Sequence, residues 1–396
     1  MPANSAPELR RDRRVNAAAP IVAYGDRSVL RVPRHVQALG AERVLLVCGR
    51  RSFETSGASA MLPDLESVAK VHRWSDFAPN TDAADVRNGL GIMRDFEPDV
   101  VIGVGGGSAM DMAKLLCTFH DVPDGDVLDL IRSGARMDRR RGRLFLVPTT
   151  SGSGAEATHF AVVYIEDEKY SAAGGGMRPD AVALDPTLSA SGSVYQRATS
   201  GIDAVCQAIE SLWAAGATDR SRHFARVGLR LLLPAIEGFV NHPEAESARA
   251  MCIGSHYAGR AIDISRTTAS HALSYTITKR YGVSHGHAVA LTMSALLAHH
   301  AAADVDELSQ NVSVGEHQRA MATILDAFGA ATGQVASDRF SALMDEIGLE
   351  RRLSAVGINT EQERREIAGA VNVERLGNNP VKFTHNQLSD FLAEID

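Results

Sequence analysis

The chain has 396 residues, 45% apolar and 22% charged, with 41 basic against 48 acidic residues and a net charge of −7. At roughly 100–200 residues per domain, that length predicts two domains, with apolar material enough for cores that need no disulfide or metal staple. The acidic balance argues against a general nucleic-acid or anionic-membrane binder. No stretch reaches the run of about 18 apolar residues that a membrane span needs. Cys48, Cys117, Cys206 and Cys252 are far apart and form no CxxC pair, which suits a reduced compartment. No continuous apolar stretch follows Arg10–Arg14, so the start does not read as a signal peptide and a cytoplasmic protein is expected.

In chain order, residues 1–20 are rich in Ala, Pro and Arg without a period and read as a loose N-terminal arm. Arg43–Cys48 reads as a buried strand stopped by Gly49. Asp99–Val104 is a second, running into Gly105-Gly106-Gly107, and Leu144–Val147 a third, stopped by Pro148. Continuous β-branched runs between helical stretches predict a parallel sheet covered on both faces. Helical spacing then takes over, in Asp203–Trp213, Ser221–Val240, Ala245–Ile262, Ala288–Ala303 and Glu316–Thr332, with Pro234 expected to kink or split the second. The fold class is therefore α/β plus all-α: an N-terminal parallel-sheet domain over residues 21–188, then a helical domain over residues 189–396.

Gly105, Gly106 and Gly107 with Ser108 form a strand–glycine–helix turn. Glycines let a diphosphate approach the backbone, and a helix N-terminus supplies free N–H groups. Ser108 with Asp111 also fits an N-cap pair, and the glycines alone would make a tight turn. Pro148 to Glu156 places hydroxyls and glycines, with Thr149, Thr150 and Ser153 as candidates, after a strand of the same sheet, at the edge where such sheets take ligands. Gly49, Arg50 and Arg51 follow the first strand with no acid until Glu54. Arginines there suit a 2′-phosphate, so NADP(H) is expected over NAD(H).

Asp203 and Gln207 are one helical turn apart on one face, and His271 and His285 lie further on. An acid and imidazoles gathered from separate helices suit a divalent metal, although each alone is more often structural. Across nearly its whole length, from about residue 20 to the end, the chain resembles the iron-containing (group III) alcohol dehydrogenases. The residues carrying this are Gly105–Ser108 with Asp111 and Lys114, Pro148–Thr150 through Glu156, Asp185-Pro186, Gly201 with Asp203, and His271 with His285-Gly286. The resemblance implies a nucleotide-binding half, a helical half and Fe²⁺ or Zn²⁺ held by one Asp and three His. Asp203, His271 and His285 match three ligand positions. Gln207 stands where the family has the fourth, a weaker neutral donor, and Tyr275 stands where a family histidine lies near the nicotinamide. His287 is a candidate substitute ligand or proton donor, or else a helix-start histidine facing solvent or a neighbouring loop.

The implied reaction is hydride transfer from a nicotinamide to a small aldehyde, with the cation polarising the carbonyl oxygen and Tyr275 or His287 returning a proton. Gln207–Trp213, Ser270–Tyr275, Gly286–Leu291 and Asn378-Asn379-Pro380 resemble the branch that reduces phosphonoacetaldehyde to 2-hydroxyethylphosphonate in phosphonate metabolism. Arg266, Lys279 and Arg280 are the nearby cations for such a small anionic substrate, or else surface charges. The resemblance also implies a homo-oligomer, a dimer being expected. Two rival readings keep the fold: a dehydroquinate synthase-like lyase, and a nucleotide binder whose site was disabled by the loss of His at position 207.

Overall fold

Apolar residues occupy successive positions of Arg43–Cys48 and Val100–Gly105, so both strands need cover on two sides. The computed structural model describes residues 13–14, 20–166, 168–371 and 373–395. The chain divides into two compact units, one of residues 1–150 and 154–192, the other of residues 151–153 and 193–396.

Among the described residues, the first unit is built on a six-stranded parallel sheet. Its strands are β1 (Ile21–Tyr24), β2 (Arg43–Cys48), β3 (Lys70–Trp74), β4 (Val100–Gly105) and β5 (Arg143–Pro148). An antiparallel hairpin of β6 (Phe160–Ile165) and β7 (Glu168–Ala173) intervenes before β8 (Ala181–Leu184). The order across the sheet is β1-β8-β5-β4-β2-β3, with Leu46 opposite Ile102 and Ile102 opposite Phe145. Strand side chains alternate faces. Leu45, Val47, Val101, Leu144 and Leu146 therefore join one core with residues of α1 (Ala83–Phe96) and α2 (Gly107–Phe119). Val44, Leu46, Val100, Ile102 and Phe145 join a second core with Val32, Val36, Met61 and Leu65. The hairpin is tied to α2 by Lys114, fully buried, whose Nζ donates to Thr158 Oγ1 and to the Phe160 carbonyl, both at 2.8 Å.

The second unit is helical: α3 (Val194–Trp213), α4 (Asp219–Leu232), α5 (Ile236–Asn241), α6 (Ala245–Ser265), α7 (Ala269–Tyr281), α8 (His285–Ala302), α9 (Val314–Phe328) and α10 (Gly333–Glu346), then shorter helices at Glu361–Gly369, Val373–Gly377 and His385–Ala393. Ser193 caps α3, and Thr218 with Ser221 forms a capping box on α4. Pro234 falls in the break between α4 and α5, as a residue without an N–H requires. α3 begins at Val194 instead of Asp203, because Arg197, Thr199 and Gly201 are buried along with Ile202 and Val205. With polar residues inside, its first turns show no apolar stripe to read.

The expected loose arm is partly held. Arg13–Arg14 pair antiparallel with Arg139–Arg140, while residues 1–12 and 15–19 lie outside the described residues. Among the described residues, no helix is long and apolar enough to cross a membrane.

Candidate active site and metal centre

On α3, Asp203, Gln207 and Glu210 lie one turn apart in succession and share a face. His271 comes from the first turn of α7, and His285 is the first residue of α8. The ligand atoms of Asp203, His271 and His285 all lie within 4.8 Å of one another. His271 Nε2 is 3.3 Å from Asp203 Oδ1, and the His271 and His285 rings meet edge-on, centroids 5.4 Å apart. Gly286 makes this approach possible. A Cβ there would lie 1.9 Å from the Thr199 carbonyl oxygen and 2.8 Å from Asp203 Cβ, so only glycine lets the start of α8 lie against α3.

Each candidate ligand is held by a neighbour. Glu210, fully buried, accepts the His271 Nδ1 proton and also takes Thr268 Oγ1 at 2.8 Å and the Ser270 N–H at 3.1 Å. Ser274 Oγ donates to the His271 carbonyl at 2.8 Å, which leaves it to accept from His285 Nδ1 at 3.4 Å. Tyr275 stacks on the His285 ring, centroids 6.0 Å apart and planes 22° from parallel. Gln207 Nε2 donates to Asp203 Oδ2 at 3.1 Å and to the Ser153 carbonyl at 3.4 Å.

With Nδ1 committed to Glu210, a neutral His271 points its Nε2 lone pair at a carboxylate oxygen. Two acceptors 3.3 Å apart need a proton or a cation between them. In the metal-free protein a proton serves: burial works to lower the His271 pKa, but Glu210 and Asp203 outweigh it and carry it to about 10. Gln207 Oε1 is buried with no hydrogen-bond partner, an acceptor that a cation would satisfy. One carboxylate, two imidazoles and one amide oxygen fit a divalent first-row ion such as Fe²⁺ or Zn²⁺.

In the first unit the nucleotide candidates gather at one edge. Gly49, Arg50 and Arg51 follow β2, Gly105 and Gly106 lead from β4 into α2, and Thr149 and Thr150 follow β5, three adjacent strands of the sheet. Gly105 has φ +154, and a Cβ on it would lie 2.8 Å from that of Ala109. The Thr149 N–H donates to the Gly105 carbonyl at 2.9 Å, joining two of these loops. Ser153 belongs to the helical unit.

Several expectations are corrected. The α2 N-cap is Gly106, and neither Ser108 nor Asp111 caps the helix. Ser108 Oγ instead accepts the Asn80 N–H at 3.0 Å, while the buried Asp111 takes the Val162 N–H at 2.9 Å, 3.7 Å from Lys114 Nζ. Arg50 is not a bare cation, since Asp76 pairs with it at 2.5 Å on the surface. His287 is turned away from the metal candidates, because residues two apart on a helix point to nearly opposite sides. Its Nε2 donates to the Glu350 carbonyl at 2.6 Å, its Nδ1 faces Tyr195 Oη at 3.4 Å, and burial lowers its pKa. Lys279 and Arg280 are exposed near the far end of α7, two turns beyond His271, with Arg280 paired to Glu366. Arg266 lines a cavity of about 320 Å³ that Arg375 and Asn378 also line. Sequence reading assigned no role to Glu210 or Ser274. The spacing of Asp203, Gln207 and Glu210 on one helix face was the available signal for the first.

A family model described as iron-containing alcohol dehydrogenase matches residues 19–186, and one for the C-terminal part of the Fe-containing alcohol dehydrogenase family matches residues 197–395. The phosphonoacetaldehyde reductase of Streptomyces viridochromogenes is 30% identical over 347 residues, 84% of this chain and 84% of that one. Long-chain-alcohol dehydrogenase 1 of Geobacillus thermodenitrificans is 30% identical over 65% of this chain and 66% of its own. The structure of sulfoacetaldehyde reductase from Bifidobacterium kashiwanohense in complex with NAD+ is similar with a TM-score of 0.84 and 25% identity, covering 96% of this chain and 98% of that one.

Proposed function

The chain belongs to the iron-containing alcohol dehydrogenase family, and we propose that within it this enzyme is an NADPH-dependent reductase of a small anionic aldehyde, converting phosphonoacetaldehyde to 2-hydroxyethylphosphonate. The enzyme class is that of its relatives, alcohol dehydrogenases and aldehyde reductases. The observation that carries the substrate is the match to a phosphonoacetaldehyde reductase over 84% of both chains. A sulfoacetaldehyde reductase of similar fold adds support, since its substrate is also a two-carbon aldehyde bearing a tetrahedral oxyanion.

Asp203, His271 and His285, with the Gln207 carbonyl as a fourth donor, would hold a divalent ion, which when bound supplies a Lewis acid for the aldehyde oxygen. Glu210 and Ser274 fix the two imidazole rings so that each presents Nε2. The Gly105–Ser108 backbone at the start of α2 would hold a cofactor diphosphate, and Thr149 and Thr150 would add donors. A bound nicotinamide would supply hydride to the aldehyde carbon, and the oxygen that gains charge would then need a proton. Tyr275, beside His285, is the group we assign to pass that proton in from solvent, because His287 is engaged elsewhere. Arg51, next to the Arg50–Asp76 pair, is the cation we assign to a 2′-phosphate.

The test is metal analysis of purified protein together with oxidation of NADPH and NADH by phosphonoacetaldehyde, sulfoacetaldehyde and propanal. Stoichiometric metal, NADPH favoured over NADH and the highest kcat/KM on phosphonoacetaldehyde are expected, with metal and turnover both lost in His271→Ala. Preference for propanal overturns the substrate, preference for NADH the cofactor, and undiminished turnover in metal-free protein the metal.

A further inference from the structure

Glu210 is a charged residue with no exposed surface, seven positions beyond Asp203 on the same helix. A buried carboxylate is retained at low cost only when its oxygens are fully engaged, and these are. Oε1 accepts from Thr268 Oγ1 and from the backbone N–H groups of Ser270 and His271, while Oε2 faces His271 Nδ1. Thr268 Oγ1 is itself fixed by the Trp213 indole N–H at 3.0 Å. The carboxylate therefore cannot turn, and it has one oxygen to offer the ring.

From this we infer that Glu210 is the positioning residue of the metal centre: by accepting the Nδ1 proton it holds His271 in the tautomer whose Nε2 lone pair faces Asp203. The inference rests on the reading of Asp203, His271 and His285 as metal ligands. A hydrogen-bonded carboxylate behind an imidazole fixes its tautomer and orientation and strengthens it as a donor. Here that gain stands opposite a weakness, because Gln207 offers an amide oxygen in place of an imidazole nitrogen. Glu210 thus supports metal retention in a chain whose fourth donor is neutral.

Glu210→Gln separates positioning from scaffolding. Its amide oxygen keeps the Thr268 hydroxyl and the two backbone donors, which hold the amide in that orientation. Its NH₂ then faces Nδ1, so the ring must carry its proton on Nε2 and present an N–H to Asp203. Replacing a carboxylate by an amide beside an imidazole leaves the shape intact and reverses the tautomer.

The experiment is a chelator competition for Zn²⁺ and Co²⁺ on the whole wild-type and Glu210→Gln proteins, with circular dichroism and melting of the metal-free forms. Affinity is expected to fall at least ~10–100-fold in the variant, with the Co²⁺ ligand-field bands weakened and the metal-free circular dichroism spectrum unchanged, while metal-free melting falls at neutral pH because the carboxylate that raises the His271 pKa is gone. Equal affinity in the two proteins overturns the role of Glu210 while leaving the metal reading intact. A wild-type protein that binds neither ion overturns the metal reading and this inference with it. Loss of fold in the variant hands the decision to a crystal structure of zinc-loaded wild type. Zinc on Nε2 with Glu210 on Nδ1 supports the assignment; zinc on Nδ1, or Glu210 turned away, overturns it.

Discussion

At Gly286 the site depends on the absence of a single methyl group. Adding one places carbon 1.9 Å from the Thr199 carbonyl oxygen, a backbone atom that cannot rotate aside, so α8 must move and take His285 with it. Overpacking of this kind costs about 1–3 kcal/mol and sometimes more. Gly286→Ala is therefore expected to melt several degrees lower and to bind Zn²⁺ at least ~10-fold more weakly; unchanged melting and zinc titration curves would contradict the geometry. Tyr275 makes a second residue-scale case. Tyr275→Phe keeps the stack on His285 and removes the hydroxyl, so kcat on the aldehyde should drop by about 10²–10⁴-fold with metal content unchanged. Tyr275→Ala should lose metal affinity as well, and the pair of variants measured side by side separates the two roles. Asp203, His271 and His285 were legible because resemblance named their positions. Glu210 was not, because a glutamate inside Ile209–Trp213 takes its meaning only from His271, 61 residues away in the chain. His287 was over-read for the converse reason: two residues from His285 in sequence, it is on another side of the same helix.

The elements that escaped sequence reading share a property, the lack of a one-sided apolar pattern. β3, Lys70–Trp74, is an edge strand with mostly exposed side chains, and β8 has only four residues. α7 mixes buried Ser270, His271 and Ser274 with β-branched Thr276, Ile277 and Thr278, so neither period nor propensity marks it as a helix. β2, β4 and β5 were readable because strands buried on both faces are apolar throughout. The other edge strand, β1, carries a different message. Among the described residues it pairs only with β8, and Ile21, Val22 and Tyr24 are 60%, 44% and 40% exposed. An edge that is open and apolar invites pairing with a second copy, and charges are the usual means of preventing it. We expect a homodimer that uses this edge. Sedimentation or light scattering should show Ile21→Lys/Val22→Lys shifted toward monomer, whereas an unshifted dimer would move the interface elsewhere.

For the whole molecule, the metal centre ties fold stability to pH in a way that depends on occupancy. In metal-free protein His271 has a folded-state pKa of about 10, against an unfolded value of roughly 6.5. A raised histidine pKa means that the folded state holds the proton more tightly. Its stabilisation is fully present below about pH 6.5 and is lost as pH rises toward 10. When Nε2 is on a cation the proton is gone, and this dependence goes with it. Two consequences can be measured on one preparation. Melting temperatures of chelator-stripped protein at pH 6.5, 8 and 9.5 should fall more steeply than those of zinc-loaded protein over the same range. Zinc affinity should rise with pH by up to about tenfold per unit, because binding displaces one proton. A proton held between His271 Nε2 and Asp203 thus occupies the place the cation takes, and the two compete. Parallel melting curves with and without metal, together with a pH-independent zinc affinity, would mean that His271 is not the residue on which they compete.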